Sequence, residues 1–256
     1  MKIIISPAKK MEECADIFEP GGLPEYIDRT GILYEKLSTM TEGELQALFQ
    51  ANDQITRQNF ERYQTMDIRR AQTPALLSYI GIQYQYMAPR LFSYSQWEYV
   101  KEHLRILSGF YGVLRPQDCV TPYRLEMQTK LAADGAKDLY RFWGRSLYDS
   151  LVSEAKKTGK SGETIVNLAS KEYSRSIESY LTENDRYVTC VFGVLVNGKV
   201  KVKATEAKMA RGEMVRFMAE HQVEEVEALK QFDCLDYRYS EVHSDTDTFV
   251  YIKGGI

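Results

Sequence analysis

The stretch His103–Met127, HLRILSGFYGVLRPQDCVTPYRLEM, constrains the fold more than any other, because two glycines, two prolines, two tyrosines and three arginines fall within twenty-five residues. Leu104, Ile106 and Leu107 are core-type side chains, but Gly109 and Gly112 break a continuing helix and admit positive φ or a close backbone approach. Pro116 and Pro122 then hold the chain extended and bias the residues before them away from helix. Arg115, Tyr123 and Arg124 are therefore presented from a stiff, irregular path, which suits an anionic ligand.

A helix leads into this turn. Ser95-x-x-Glu98 reads as a capping box that opens a helix carrying Trp97, Val100, Leu104 and Leu107 to Gly109. The order of elements over 97–125 predicts a helix-hairpin-helix-like element, whose hairpin N–H groups would meet a phosphate. Two residues between the glycines, where that motif normally has one, and Pro116 in the second helix depart from the pattern. The alternative is a tight turn that packs Phe110 and Tyr111 into the core.

Elsewhere the chain alternates between strand and helix signals. Lys2–Ser6 reads as a buried strand ended by Pro7, and Thr164–Leu168 as a second one. Ser6 and Lys9 leave the first strand as Asn167, Ser170 and Lys171 leave the second. If the strands are parallel neighbours, both sets open onto one sheet edge, where α/β sheets place ligands. A helical subregion spans about 25–66, with a capping box at Thr41 and Glu44. Asp138–Lys157 has the spacing of one amphipathic helix. Asn197-Gly198 marks a hairpin between Val188–Val196 and Lys199–Ala204, with lysines on one face of the second strand and valines on the core face. The helix Glu206–His221 follows, bearing Lys208 and Arg211 beside Gly212 and Val215, and Thr248–Lys253 reads as a last strand. These elements predict an α+β fold, a mixed sheet with flanking helices in a single compact domain over 1–256.

Composition is that of a globular protein, with 44% hydrophobic and 27% charged residues. No stretch approaches the roughly 18 apolar residues of a membrane span, and MKIIIS is too short an apolar run for a signal peptide. Cys14, Cys119, Cys190 and Cys234 form no C-x-x-C pair, which argues against a zinc site and fits reduced cytosolic thiols. A net charge of −3 argues against indiscriminate coating of nucleic acid. The six basic residues between Lys199 and Arg216 nevertheless give the chain the means to line a positive cleft.

Taken together, SPAK (6–9), LRILSGFYGVLRP (104–116), PYRLEM (122–127), LYRFWG (139–144), NLASKEYS (167–174) and AKMARG (207–212) resemble the YaaA family of bacterial peroxide stress response proteins. The resemblance implies a cytoplasmic protein that protects DNA and protein under hydrogen peroxide by limiting free iron. It also implies DNA binding, with a helix-hairpin-helix-like element.

No catalytic engine is legible. Ser6-x-x-Lys9 and Lys157-Thr158-Gly159 imitate an acyl-transfer set, but their strand and helix contexts are wrong and no S-D-N occurs. His243, Asp245 and Asp247 read as a solvated loop, so no metal and no cofactor is assigned. What remains is an anion-handling set: Ser6, Lys9, Gly109, Gly112, Arg115, Tyr123, Arg124, Asn167, Ser170, Lys171, Lys208 and Arg211, with Glu126 as an ion-pair partner or a general base. Two readings stay open. In one, the chain binds double-stranded or branched DNA with little sequence preference and steep salt dependence. In the other, an enzyme acts on a phosphorylated or nucleotide-like small molecule in the same cleft.

Overall fold

The computed structural model describes residues 1–14 and 18–254, with Glu154 described by its backbone alone. Its eight-stranded main sheet is built from β1 (Lys2–Ile5), β2 (Leu104–Ser108), β3 (Gly112–Leu114), β4 (Thr164–Leu168), β5 (Arg186–Val196), β6 (Lys199–Lys201), β7 (Tyr237–Tyr239) and β8 (Thr248–Lys253). The order is β7-β8-β5-β4-β1-β2-β3, with β6 paired to β5. The five strands β8, β5, β4, β1 and β2 run parallel, and β7, β3 and β6 are antiparallel additions. Parallel strands are covered on both faces, which is why Ile3, Ile4 and Ile5 are all fully buried in central β1.

The helices are α1 (Ile27–Ser38), α2 (Glu42–Phe49), α3 (Asp53–Thr65), α4 (Ile82–Met87), α5 (Tyr94–His103), α6 (Leu139–Trp143), α7 (Ser146–Lys157), α8 (Lys171–Glu178) and α9 (Ala204–Glu220), together with shorter turns. Helix α9 packs on α4, α5 and β5, while α5 also meets β1 and β2. The expected mixed sheet with flanking helices is therefore present. The capping box at Thr41 and Glu44 is also as expected, and so is the hairpin at Asn197 and Gly198, both of which adopt positive φ.

Four expectations are corrected. The helix before the glycines ends at His103, and Leu104–Ser108 is a strand pairing with β1, so Gly109–Tyr111 joins two antiparallel strands and no helix-hairpin-helix forms. A strand buried on both faces is continuously apolar, so its pattern merges with that of the preceding helix. Moreover, the Phe110 and Tyr111 N–H groups already donate to Ser108 Oγ at 3.1 and 2.9 Å. Second, the capping box of α5 is Ser93 with Gln96, two residues upstream of the expected pair. Third, the span 138–157 is two helices, broken at Gly144, whose φ of 52° lies in the left-handed region. Fourth, Val202 is exposed, because β6 ends at Lys201.

Candidate anion-binding site

The chain leaves β1 toward β2 on one side and leaves β4 toward β5 on the other, so the adjacent carboxyl ends of β1 and β4 form a topological switch point, where open parallel sheets hold ligands. The two ends are tied together. Ser6 Oγ donates to Ser170 Oγ at 3.1 Å and accepts the Ser170 N–H at 2.8 Å. Asn167 Oδ1 accepts the Ala169 N–H at 2.9 Å, which shapes the exit of β4. The Tyr84 hydroxyl donates to the Ser6 carbonyl at 3.0 Å, tying α4 to the same edge.

The β2–β3 turn brings in a third segment. A side chain at Gly109 would place its Cβ 2.6 Å from the Leu125 carbonyl oxygen, so only glycine lets the turn press against Leu125–Met127. Trp143 covers the other glycine, Gly112, and donates its indole N–H to the Gly109 carbonyl at 2.9 Å. The Tyr123 hydroxyl bonds Ser108 Oγ at 2.6 Å and the Tyr79 hydroxyl at 2.8 Å. From α3, the Tyr63 hydroxyl donates to the Arg124 carbonyl at 2.7 Å. The helical block thus braces the segment that carries Arg124 and Glu126.

These elements enclose a cavity of about 380 Å³. Its cations differ in how far they are neutralised. Glu126 takes Lys9 at 2.9 Å and Arg124 at 3.0 Å, whereas Lys10, Lys208 and Arg211 make no ion pair among the described residues. Burial pulls the Arg211 guanidinium below its ordinary range, although an arginine stays charged. Three buried donors on this lining, Gln83 Nε2, Arg124 Nε and Arg211 Nε, have no hydrogen-bond partner among the described residues. Buried polar groups are nearly always paired, and an orphaned one points to a ligand or water. Glu172 also lines the cavity, and burial, with the nearby Glu126 charge, pushes its carboxyl up.

The family model described as peroxide stress protein YaaA matches residues 1–243. The chain belongs to the YaaA family. Within it, the chain is 49% identical to a UPF0246 protein of Desulfitobacterium hafniense over 99% of this chain and 98% of that one. It is 50% identical to a UPF0246 protein of Lachnoclostridium phytofermentans over 99% and 97%, and 48% identical to one of Pediococcus pentosaceus over 99% and 98%.

In this YaaA-family chain the cavity brings together Ser6, Lys9, Tyr123, Arg124, Ser170, Lys208 and Arg211 of the expected set. It does not take the rest. Gly109 and Gly112 serve packing, and Asn167 is buried with its amide donating to Thr189 Oγ1 at 3.3 Å. Arg115 is exposed on its loop, where its N–H donates to Asp118, and the Lys171 side chain pairs with Glu178. Gly212 offers no open patch beside the cations, since a Cβ there would fall 2.2 Å from the Gln83 carbonyl oxygen. The lining also takes Gln83, Tyr84, Glu172 and Tyr173, together with Lys10 and the apolar Ile80, Ile82 and Leu125, none of which belongs to the expected set. For Gln83 the signal is weak, because a glutamine in an ambiguous apolar run carries no pattern. Glu172 lies within NLASKEYS and was findable as the acid beside Lys171.

Proposed function

We propose that this chain serves the peroxide stress response as a binding protein for a phosphate-bearing ligand at the switch-point cavity. The observation that carries the reading is the convergence of Gln83 Nε2, Arg124 Nε and Arg211 Nε, buried and without a hydrogen-bond partner among the described residues, with three lining cations, Lys10, Lys208 and Arg211, that make no ion pair there. Arginine suits phosphate through its planar fork, and lysine adds a point charge. A cavity of about 380 Å³ accepts a nucleotide-sized group and excludes a duplex from its interior. On DNA, the cavity would take a strand end or a nucleotide released at a branch. The physiological outcome is protection of DNA and protein in the cytoplasm through limitation of free iron.

A second reading, duplex DNA lying across the cleft, is favoured by the exposed lysines Lys199 and Lys201, which sit on β6 just before α9 brings in Lys208. Titration of pyrophosphate, a mononucleotide, duplex DNA and branched DNA into wild type and Lys208→Glu/Arg211→Glu separates the readings. The cavity reading expects saturable binding of the small anions, lost in the double variant. Binding of duplex alone would replace it with the second reading, and binding unchanged by the double variant would remove the cavity from both.

A further inference from the structure

We infer that the cavity is built for a single nucleotide unit whose base carries an exocyclic amino group, with Glu172 accepting from that group. This deepens, and rests on, the reading of the cavity as a phosphate site.

The lining has three chemical parts. The first is the donor set of Gln83, Arg124 and Arg211 with Lys208, which calls for an anion. Gln83 is 6% exposed, so its orphaned amide is a buried donor on the cavity wall and not a solvated surface group. The second part is flat and apolar. Tyr84, Tyr123 and Tyr173 are buried lining residues and are joined by Ile80 and Ile82. A phosphate needs none of these surfaces, whereas a planar ring stacks on aromatic side chains.

The third part is a carboxylate with spare capacity. Both oxygens of Glu126 are held by cations, Lys9 on one and Arg124 on the other. Glu172 has no ion pair among the described residues; the Gln128 N–H donates to its Oε1 at 3.2 Å, and the Met127 N–H and the more distant Lys9 charge also favour its ionised form. The Tyr140 hydroxyl donates to the Glu172 backbone carbonyl at 2.8 Å, which fixes the start of α8 and leaves the carboxyl group uninvolved. A half-buried carboxylate without an ion pair gains from each further donor, and two backbone N–H groups leave lone pairs on its oxygens open. Burial, with the Glu126 charge adding to it, raises its proton affinity against the opposing pull of the Gln128 and Met127 N–H groups and of Lys9. A phosphate cannot be that donor. A ligand that joins an anion, a flat ring and an amino donor within about 380 Å³ is an amino-bearing mononucleotide, free or at a strand end.

The test is calorimetric titration of the full chain with cytidine against uridine monophosphate and adenosine against inosine monophosphate, alongside pyrophosphate. Each nucleotide pair exchanges an amino group for an oxygen at one ring position. A site built to hydrogen-bond a group rejects the analogue that lacks it. Wild type is expected to favour the amino member of at least one pair by about tenfold or more. Glu172→Gln should abolish that preference without weakening pyrophosphate binding, since it removes a negative charge from the lining. Equal affinities within both pairs, or a preference that survives Glu172→Gln, would overturn the inference and leave the phosphate reading standing. Pyrophosphate binding with all four nucleotides excluded would do the same. Failure of pyrophosphate and every nucleotide to bind would sink the phosphate reading itself.

Discussion

Ser6 and Ser170, 164 residues apart in sequence, share two hydrogen bonds, Ser6 Oγ to Ser170 Oγ at 3.1 Å and Ser170 N–H to Ser6 Oγ at 2.8 Å. The pair closes the floor of the cavity by locking the carboxyl ends of two neighbouring parallel strands. Ser6→Ala removes both bonds and orphans a backbone donor. The expected cost is about 1–2 kcal/mol in urea unfolding, accompanied by weaker pyrophosphate binding. Unchanged stability would mean that the clamp is replaced by solvent.

Gly212 sets the spacing of the cation-bearing helix. An added Cβ would lie 2.2 Å from the Gln83 carbonyl oxygen and 2.9 Å from the Met87 nitrogen, both backbone atoms that no side-chain rotation can move. Alanine gains about 1 kcal/mol of helix propensity but overpacks the contact by about 1–3 kcal/mol. Steric overlap wins, and Gly212→Ala should lower both stability and anion affinity, because Gln83 and Arg211 move apart. A more stable variant with intact binding would contradict this.

Arg211 is held at a cost to the ligand-free protein, since a desolvated cation without a carboxylate partner destabilises the fold. Arg211→Met is expected to raise the thermal midpoint of the ligand-free chain by about 2–4 °C and to abolish the further rise that pyrophosphate produces in wild type. A lower midpoint would show that the guanidinium is a structural element and not a ligand group.

Asp118 gives a pH signature away from the cavity. Burial pushes its carboxyl from 3.8 up to about 6, and its Oδ2 accepts the Arg115 N–H. Between those values the folded state binds more proton than the unfolded state, so this group makes stability fall as pH rises from about 4 to about 6. The full loss is on the order of 2–3 kcal/mol. Asp118→Asn should flatten that part of the curve when urea unfolding is followed from pH 4 to 7. An identical slope in the variant would remove Asp118 as the source.

The sheet is legible where a strand's apolar run is bounded by clear punctuation. The isoleucines before Pro7 and the run Thr164–Leu168 mark β1 and β4, and their shared edge follows from parallel pairing. Leu104–Ser108 is not separable from the helix before it, because full burial erases the alternation that distinguishes strand from helix. In the site, cations stand out by residue type, so Lys208 and Arg211 are found. Whether a cation is already neutralised depends on its partners: Lys9 meets Glu126, distant in sequence, across the sheet edge, while Lys171 is taken by Glu178 two turns on in the same helix. The exclusion of Gly109 and Gly112 from the cavity has the same origin, since a glycine's neighbour, here Leu125 or Trp143, cannot be read from its own segment.

The central claim is that the cavity at the ends of β1 and β4 binds phosphate-bearing ligands. Its most direct test is fluorescence anisotropy of a labelled mononucleotide and of labelled duplex and branched DNA across a salt series, with wild type beside Lys208→Glu/Arg211→Glu. Saturable, salt-sensitive binding of the mononucleotide that disappears in the double variant is the predicted result. No mononucleotide binding at low salt, or binding that survives the two charge reversals, would contradict it.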